Sequence, residues 1–231
     1  MCGRFVSAAP PDELAQYFSA QLVAERALEP SYNVAPTRDV YVVTSDGEAR
    51  HLDAFHWGLV PPWAKDPSAG NRMINARAET LADKPVYRKA FAKRRCLIPA
   101  TGFYEWKKIP GQRTKQPMFI ERSDGEPLAF AGLWERWAPK KADGSYDESA
   151  RLRSTTIITC APNETMAPIH DRMPVILPAT AWDRWLDPTF DDLEALGQFL
   201  VPAPPALLVV HPVSTQVNNV RNDGAELIDA V

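Results

Sequence analysis

None of the three cysteines in this chain, Cys2, Cys96 and Cys160, stands in a Cys-x-x-Cys spacing. An odd count without paired spacing argues against a disulfide framework. The four histidines, His51, His56, His170 and His211, show no zinc-ligand spacing, so neither a metal nor a cofactor is expected. No run of about 18 apolar residues is present. The most apolar stretch, Phe199 to Val210, is broken by Pro202, Pro204 and Pro205. The opening residues Met-Cys-Gly-Arg-Phe lack the apolar segment of a signal peptide, and a cytoplasmic protein is expected. Glycine is scarce beside proline, 11 residues against 22. Proline ends helices and drops out of central strand ladders. A long-helix bundle is therefore not expected; short elements joined by ordered loops are.

What is present is globular: 45% hydrophobic and 24% charged residues over 231 positions. At roughly 150 residues per domain the length fits a single domain, 1–231. Leu14, Tyr17, Phe18 and Leu22 recur at helical spacing and predict a helix over Asp12 to Ala27. Further helices are predicted over Lys84 to Arg94, Ala179 to Trp185 and Asp191 to Leu200. Strands are predicted at Val40–Thr44, Ala54–Trp57, Cys96–Pro99, Phe103–Trp106, Met118–Glu121, Leu128–Leu133, Ser154–Cys160 and Leu207–His211. Pro139 to Ala150, polar and carrying an Asp143-Gly144 turn, is expected to be a mobile loop. This order predicts an α+β fold with a barrel-like, mostly antiparallel β core and peripheral short helices.

Charge is unevenly spread. The chain carries a net −3, yet Arg72 to Arg122 holds 13 Lys/Arg and 4 Asp/Glu, a local +9. Such asymmetry suits a polyanion-binding face, although a solvated surface gives the same pattern. Trp57, Trp63, Tyr87 and Trp106 lie in or near this basic third. Aromatics beside cations serve single-stranded nucleic acid through stacking and phosphate pairing, and they also serve ordinary cores.

Cys2 carries distinctive chemistry. With Met1 removed, it offers an α-amine and a thiol on adjacent carbons, both titrating within about two units of neutrality. An amine and thiol so placed can capture an aldehyde twice, first as a Schiff base and then as a five-membered thiazolidine. His170, in Ala167-Pro-Ile-His-Asp-Arg-Met-Pro174, is a candidate acid/base. Glu105 lies between aromatics and shares a strand face with Phe103, a setting suited to proton transfer. Asn75 and Arg77 also alternate onto one face, where an amide can orient an amine and a guanidinium can hold a phosphate.

The ordered series Met1-Cys-Gly-Arg-Phe5, Tyr32-Asn-Val-Ala-Pro36, Trp57-Gly-Leu-Val-Pro-Pro-Trp63 and Asn75-Ala-Arg-Ala-Glu-Thr80 resembles the SRAP (SOS-response-associated peptidase) family. So do Cys96-Leu-Ile-Pro-Ala-Thr-Gly-Phe-Tyr-Glu-Trp106, Ile169-His-Asp-Arg-Met-Pro174 and His211-Pro-Val213. The resemblance spans nearly the whole chain. It implies a sensor and shield of abasic sites in single-stranded DNA that crosslinks to the ring-opened sugar; a monomer that associates with the nucleoid when bound is expected. It implies further that Cys2 is the nucleophile, Asn75 orients its amine, Glu105 moves protons and His170 assists sugar opening. Arg77 and Arg4 would hold phosphates, and Pro36, Trp57 and Trp63 would line the DNA groove. Thr101 departs from the Ala or Asp expected before Gly102, and the segment Trp137–Ser149 matches none of the family's motifs. Met-Cys-Gly also opens N-terminal-nucleophile amidohydrolases, whose glutamine-pocket motifs this chain lacks. The same residues also admit a cysteine peptidase confined to removing Met1, or a non-covalent single-stranded DNA binder.

Overall fold

Proline marks where helices begin. Pro11 opens α1 (Pro11–Tyr17) and Pro85 opens α2 (Pro85–Lys93), at positions whose N–H would have no helical partner. The computed structural model describes residues 2–25 and 27–231. Its strands are β1 (Phe5–Ser7), β2 (Ala20–Leu22), β3 (Ser31–Val34), β4 (Asp39–Ser45), β5 (Arg50–Trp57) and β6 (Asn75–Arg77). They continue with β7 (Arg95–Ala100), β8 (Gly102–Lys107), β9 (Gln116–Arg122), β10 (Leu128–Trp137), β11 (Leu152–Cys160), β12 (Met173–Pro174) and β13 (Leu208–Pro212). Helices α3 (Ala179–Leu186) and α4 (Leu193–Gly197) lie between β12 and β13.

The strands form two sheets. One runs β13-β9-β8-β1-β3, and the other β12-β11-β10-β7-β4-β5-β2 with β6 beside β11. Strand β5 also pairs with β11, Ser154 opposite His56 and Thr155 opposite Trp57, closing β5, β4, β7, β10 and β11 into a ring. The protein is thus α+β, with a barrel-like, mostly antiparallel core and short helices outside it.

Alternation along strands sorts the side chains. In β1, Phe5 enters the main core while Val6 joins a second cluster with Tyr104, Phe119, Val213, Val217 and Leu227. Phe5 packs edge-on against Trp57 at 5.0 Å and Phe130 at 6.1 Å. Its burial contributes roughly 1.5–3 kcal/mol and anchors the residues just before it. In β8, Phe103 faces the main core and Tyr104 the second cluster. Glu105 therefore lies on the Phe103 side, as the alternation predicts.

Several sequence expectations need correction. The helix predicted to Ala27 stops at Tyr17, because Ser19 adopts φ 50° and turns the chain into β2, which pairs in parallel with β5. Tyr17 and Phe18 still pack on Trp182, at 5.7 and 4.7 Å, but Leu22 is exposed. The helix predicted over Asp191 to Leu200 shrinks to α4, whose start is capped by Asp192 accepting from the N–H groups of Glu194 and Ala195. The segment 139–150 is not an open loop: Lys140 bridges to Tyr146, and the Lys141 and Asp147 N–H groups donate to Ser145 and Pro139 carbonyls.

Two glycines set the loop between β5 and β6. Gly58 adopts φ +137°, and a Cβ on Gly70 would sit 2.3 Å from the Gly58 carbonyl oxygen. Backbone cannot yield there as a side chain could. Gly70→Ala is expected to cost about 1–3 kcal/mol. A thermal melt would show this as a Tm lowered by roughly 2–12 °C.

Candidate active site

The β1–β8 pairing builds the site. Phe5 lies opposite Phe103 and the Tyr104 N–H donates to the Arg4 carbonyl at 3.0 Å, so the segment before β1 runs beside Glu105. Strand β6 lies on β11 with Asn75 opposite Ile157 and Arg77 opposite Thr159. From there Asn75 Nδ2 donates to the Cys2 carbonyl at 2.8 Å. His170 Nε2 lies 3.9 Å from Glu105 Oε2, an electrostatic contact rather than a direct hydrogen bond. Cys2, Asn75, Glu105 and His170, scattered over 169 positions of sequence, thus converge.

Electrostatics define the state of the thiol. Cys2 is fully buried, and this burial pushes its thiol far above the ordinary cysteine value. The Glu105 charge raises it further, while a hydrogen bond from the Arg4 backbone N–H pulls the other way. These effects favour the neutral thiol over the thiolate. A preactivated cysteine shows the opposite, a thiol lowered by cations or helix ends. Glu105 is itself 2% exposed, so a proton moved between the two groups stays out of bulk water.

His170 is oriented by its own loop. The Arg172 N–H donates to His170 Nδ1 at 3.0 Å, and Nε2 is the nitrogen that faces Glu105. Asp171 Oδ1 lies 2.9 Å from the same Nδ1 and holds that edge of the ring. Buried Asn163 shapes this loop, its Oδ1 accepting from the Met166 N–H and its Nδ2 donating to the Ala203 carbonyl.

The sequence reading missed a second tie. Arg172 makes a bidentate pair with Glu79, at 2.6 and 2.9 Å, and donates to the Thr159 carbonyl at 2.5 Å. This pins the His170 loop to the segment following β6. The signal was present, since Glu79 and Arg172 lie in two of the family's motifs, but which pairs with which is not encoded in spacing. The guanidinium holds the Glu79 carboxyl below its ordinary value. The pair is therefore complete above the usual glutamate range and is lost as pH falls through the depressed value. Glu79→Gln is expected to slow the chemistry at this site by about two- to fivefold at neutral pH, the scale of an exposed ion pair. It should also remove the corresponding acid limb from the pH–rate profile.

Asn33 was missed as well. Buried within β3, it accepts from Arg4 Nη1 at 2.6 Å and donates from Nδ2 to the carbonyls of Val217, Asn219 and Asn222. It clamps the C-terminal segment onto the residues beside Cys2. Thr101, the departure from the family pattern, accepts from the Ala8 N–H at 3.3 Å and helps hold the end of β1.

The residues expected to meet DNA separate into groups. Arg77 is exposed, and Trp63 is 64% exposed on the β5–β6 loop. That loop is held by Trp57 Nε1 donating to the Ile74 carbonyl and Trp137 Nε1 donating to the Ala64 carbonyl. Trp57 corrects the groove expectation: it is fully buried against Phe5 and supports the loop from within. Pro36 is half-buried beside a cleft of about 740 Å³ that also holds Glu29, Asp39 and Asp223. Arg4 spends Nη1 on Asn33 and the Val217 carbonyl and lies 5.8 Å from the Trp106 ring, so it braces the site in this structure. The basic third is also partly internal. Arg95 is buried and donates to the carbonyls of Trp185, Phe91, Ala92, Asp187 and Phe190, and burial lowers its pKa to about 10. Arg94 pairs with Glu135 and Lys93 with Asp191.

Fold and site together define an α+β protein in which a buried cysteine lies beside an amide and a carboxylate, and the carboxylate faces an imidazole. The chain belongs to the SOS response associated peptidase (SRAP) family, whose model matches residues 1–220. It is 42% identical over 231 residues to the abasic site processing protein YoqW of Bacillus subtilis, covering 100% of both chains. It is 32% identical to the abasic site processing protein YedK of Escherichia coli, again over 100% of both. With the abasic site processing protein HMCES of Xenopus tropicalis it shares 34% identity, over 88% of this chain and 67% of that one. The crystal structure of a protein from Bordetella bronchiseptica superposes with a TM-score of 0.74 at 27% identity, covering 92% of this chain and 100% of that one. One from Bacteroides thetaiotaomicron reaches 0.85 at 24% identity over 100% of both, a likeness of fold.

Proposed function

We propose that this protein captures abasic sites in single-stranded DNA as a covalent thiazolidine on Cys2, after removal of Met1. Abasic-site processing is what the names of its curated relatives state. The observation that carries the chemistry is the placement of Asn75 Nδ2 2.8 Å from the Cys2 carbonyl, with Glu105 acting electrostatically on the same residue.

The sequence of steps follows from the placement of these groups. The ring-closed sugar hides its aldehyde, and the Nε2 proton of His170 is the donor for opening. The Cys2 α-amine, positioned by Asn75, adds to C1′ and expels water, giving a Schiff base. The neutral thiol then adds to the imine carbon. Its proton passes to Glu105 and on to the nitrogen as the ring closes. The sum is aldehyde plus aminothiol giving thiazolidine plus one water. The amine acts first because the thiol is held protonated, an order that a peptidase attacking through a thiolate does not share.

Intact mass before and after mixing with abasic single-stranded DNA tests this reading. The expected product has the mass of protein without Met1 plus DNA, less one water. Full protein mass with no covalent product, despite salt-sensitive binding, would leave a non-covalent binder instead.

A further inference from the structure

Strands β10 and β11 place two arginines directly opposite each other, Arg136 against Arg153. Like charges in that register destabilise a sheet. Arg153 is compensated: it pairs with buried Asp53 at 2.5 Å and lies 4.9 Å from the Phe55 ring. Arg136 stacks on Trp134 at 5.0 Å, and among the described residues it makes no ion pair. Its pKa is lowered, by burial first and then by Arg151, Arg153 and Arg94, with Glu135 opposing them. The sheet thus carries a cation under positive potential, with an aromatic ring beneath it.

This cation borders a cleft of about 350 Å³ lined by Pro62, Arg136, Trp137, Tyr146, Glu148 and Arg151. Glu148 is committed to Arg151, which leaves Arg136 as the cation of the cleft without an ion pair among the described residues. Tyr146 is 48% exposed on the 139–150 hairpin, the segment outside every one of the family's motifs. The other wall is Pro62, next to exposed Trp63, and the Trp137 to Ala64 hydrogen bond ties the two walls together. The loop carrying Trp63 therefore runs from this cleft to Asn75.

We propose that this cleft holds the DNA strand continuing past Trp63, one phosphodiester on Arg136 and a base against Tyr146. The charge is complementary, and an exposed ring beside a stacked arginine is what a single strand uses. Along β11 the cleft lies about six residues from the Arg77 level, roughly 20 Å. That distance corresponds to about six stacked nucleotides. The site extends the proposed abasic-DNA function and rests on it.

The test compares abasic oligonucleotides with about two and about ten nucleotides on each side of the lesion, the shorter one being unable to reach the cleft. For Arg136→Glu, binding of the long oligonucleotide is expected to weaken about tenfold, with the salt slope reduced by about one. Capture of the short one should proceed at the wild-type rate. Arg136→Lys should retain most of the length-dependent gain, and Tyr146→Ala should lose part of it. An Arg136→Glu protein that matches wild type on the long oligonucleotide overturns the proposal. So does one that weakens on both lengths equally, which would report general damage. Absence of capture of both oligonucleotides by wild type would instead sink the Cys2 function, a separate result.

Discussion

Cys2→Ala is expected to abolish the heat-stable adduct with abasic single-stranded DNA while leaving a borohydride-trappable one. Alanine keeps an α-amine once Met1 is gone, so the Schiff base can still form. What it lacks is the sulfur that closes the ring, and an open imine hydrolyses on heating. Denaturing electrophoresis with and without reductant separates the two species. Cys96→Ala and Cys160→Ala should leave the stable adduct intact. Both thiols are buried, with pKa values pushed up to about 12 and about 11, and each is attached to an amide nitrogen that cannot form an imine. A heat-stable adduct surviving in Cys2→Ala would show that the linkage does not run through sulfur.

Glu105→Gln is expected to slow adduct formation about 10²-fold, the scale of a lost general acid–base group. Glutamine has nearly the same shape, so the packing on β8 is retained. Glu105 is buried, so non-covalent DNA binding should be unchanged. The sign of the effect is informative. The Glu105 charge raises the Cys2 thiol, second to burial, so the variant should hold more thiolate than wild type. If thiolate population limited the reaction, glutamine would speed it. A slower reaction despite a lower thiol pKa identifies proton transfer as the function of the carboxylate. A rate equal to or above wild type would remove Glu105 from the mechanism.

Local chemistry in this chain was largely legible as sequence. Alternation in Phe103-Tyr-Glu105 correctly placed the carboxylate on the Phe103 side, because a strand's period of two is set by its own backbone. Proline before α2 marked its start for an equally local reason. Where local signals competed with tertiary ones, they failed. Leu22 completed a helical stripe, yet the φ of Ser19 and an available edge on β5 made Ala20–Leu22 a strand. Trp57 sat in a motif suggestive of a groove, but the space beside Phe5 at the core took its ring.

By itself, then, the amino-acid order determined the α+β class and the family and singled out Cys2, Asn75, Glu105 and His170 as candidates, since composition, alternation and motif spacing are properties of the chain. Only the tertiary structure decided that Asn75 reaches the Cys2 carbonyl, that Glu79 holds Arg172, and that Arg136 has no ion-pair partner among the described residues. Those outcomes depend on strand register and ring closure across the fold, where a shift of one residue would turn every side chain to the opposite face.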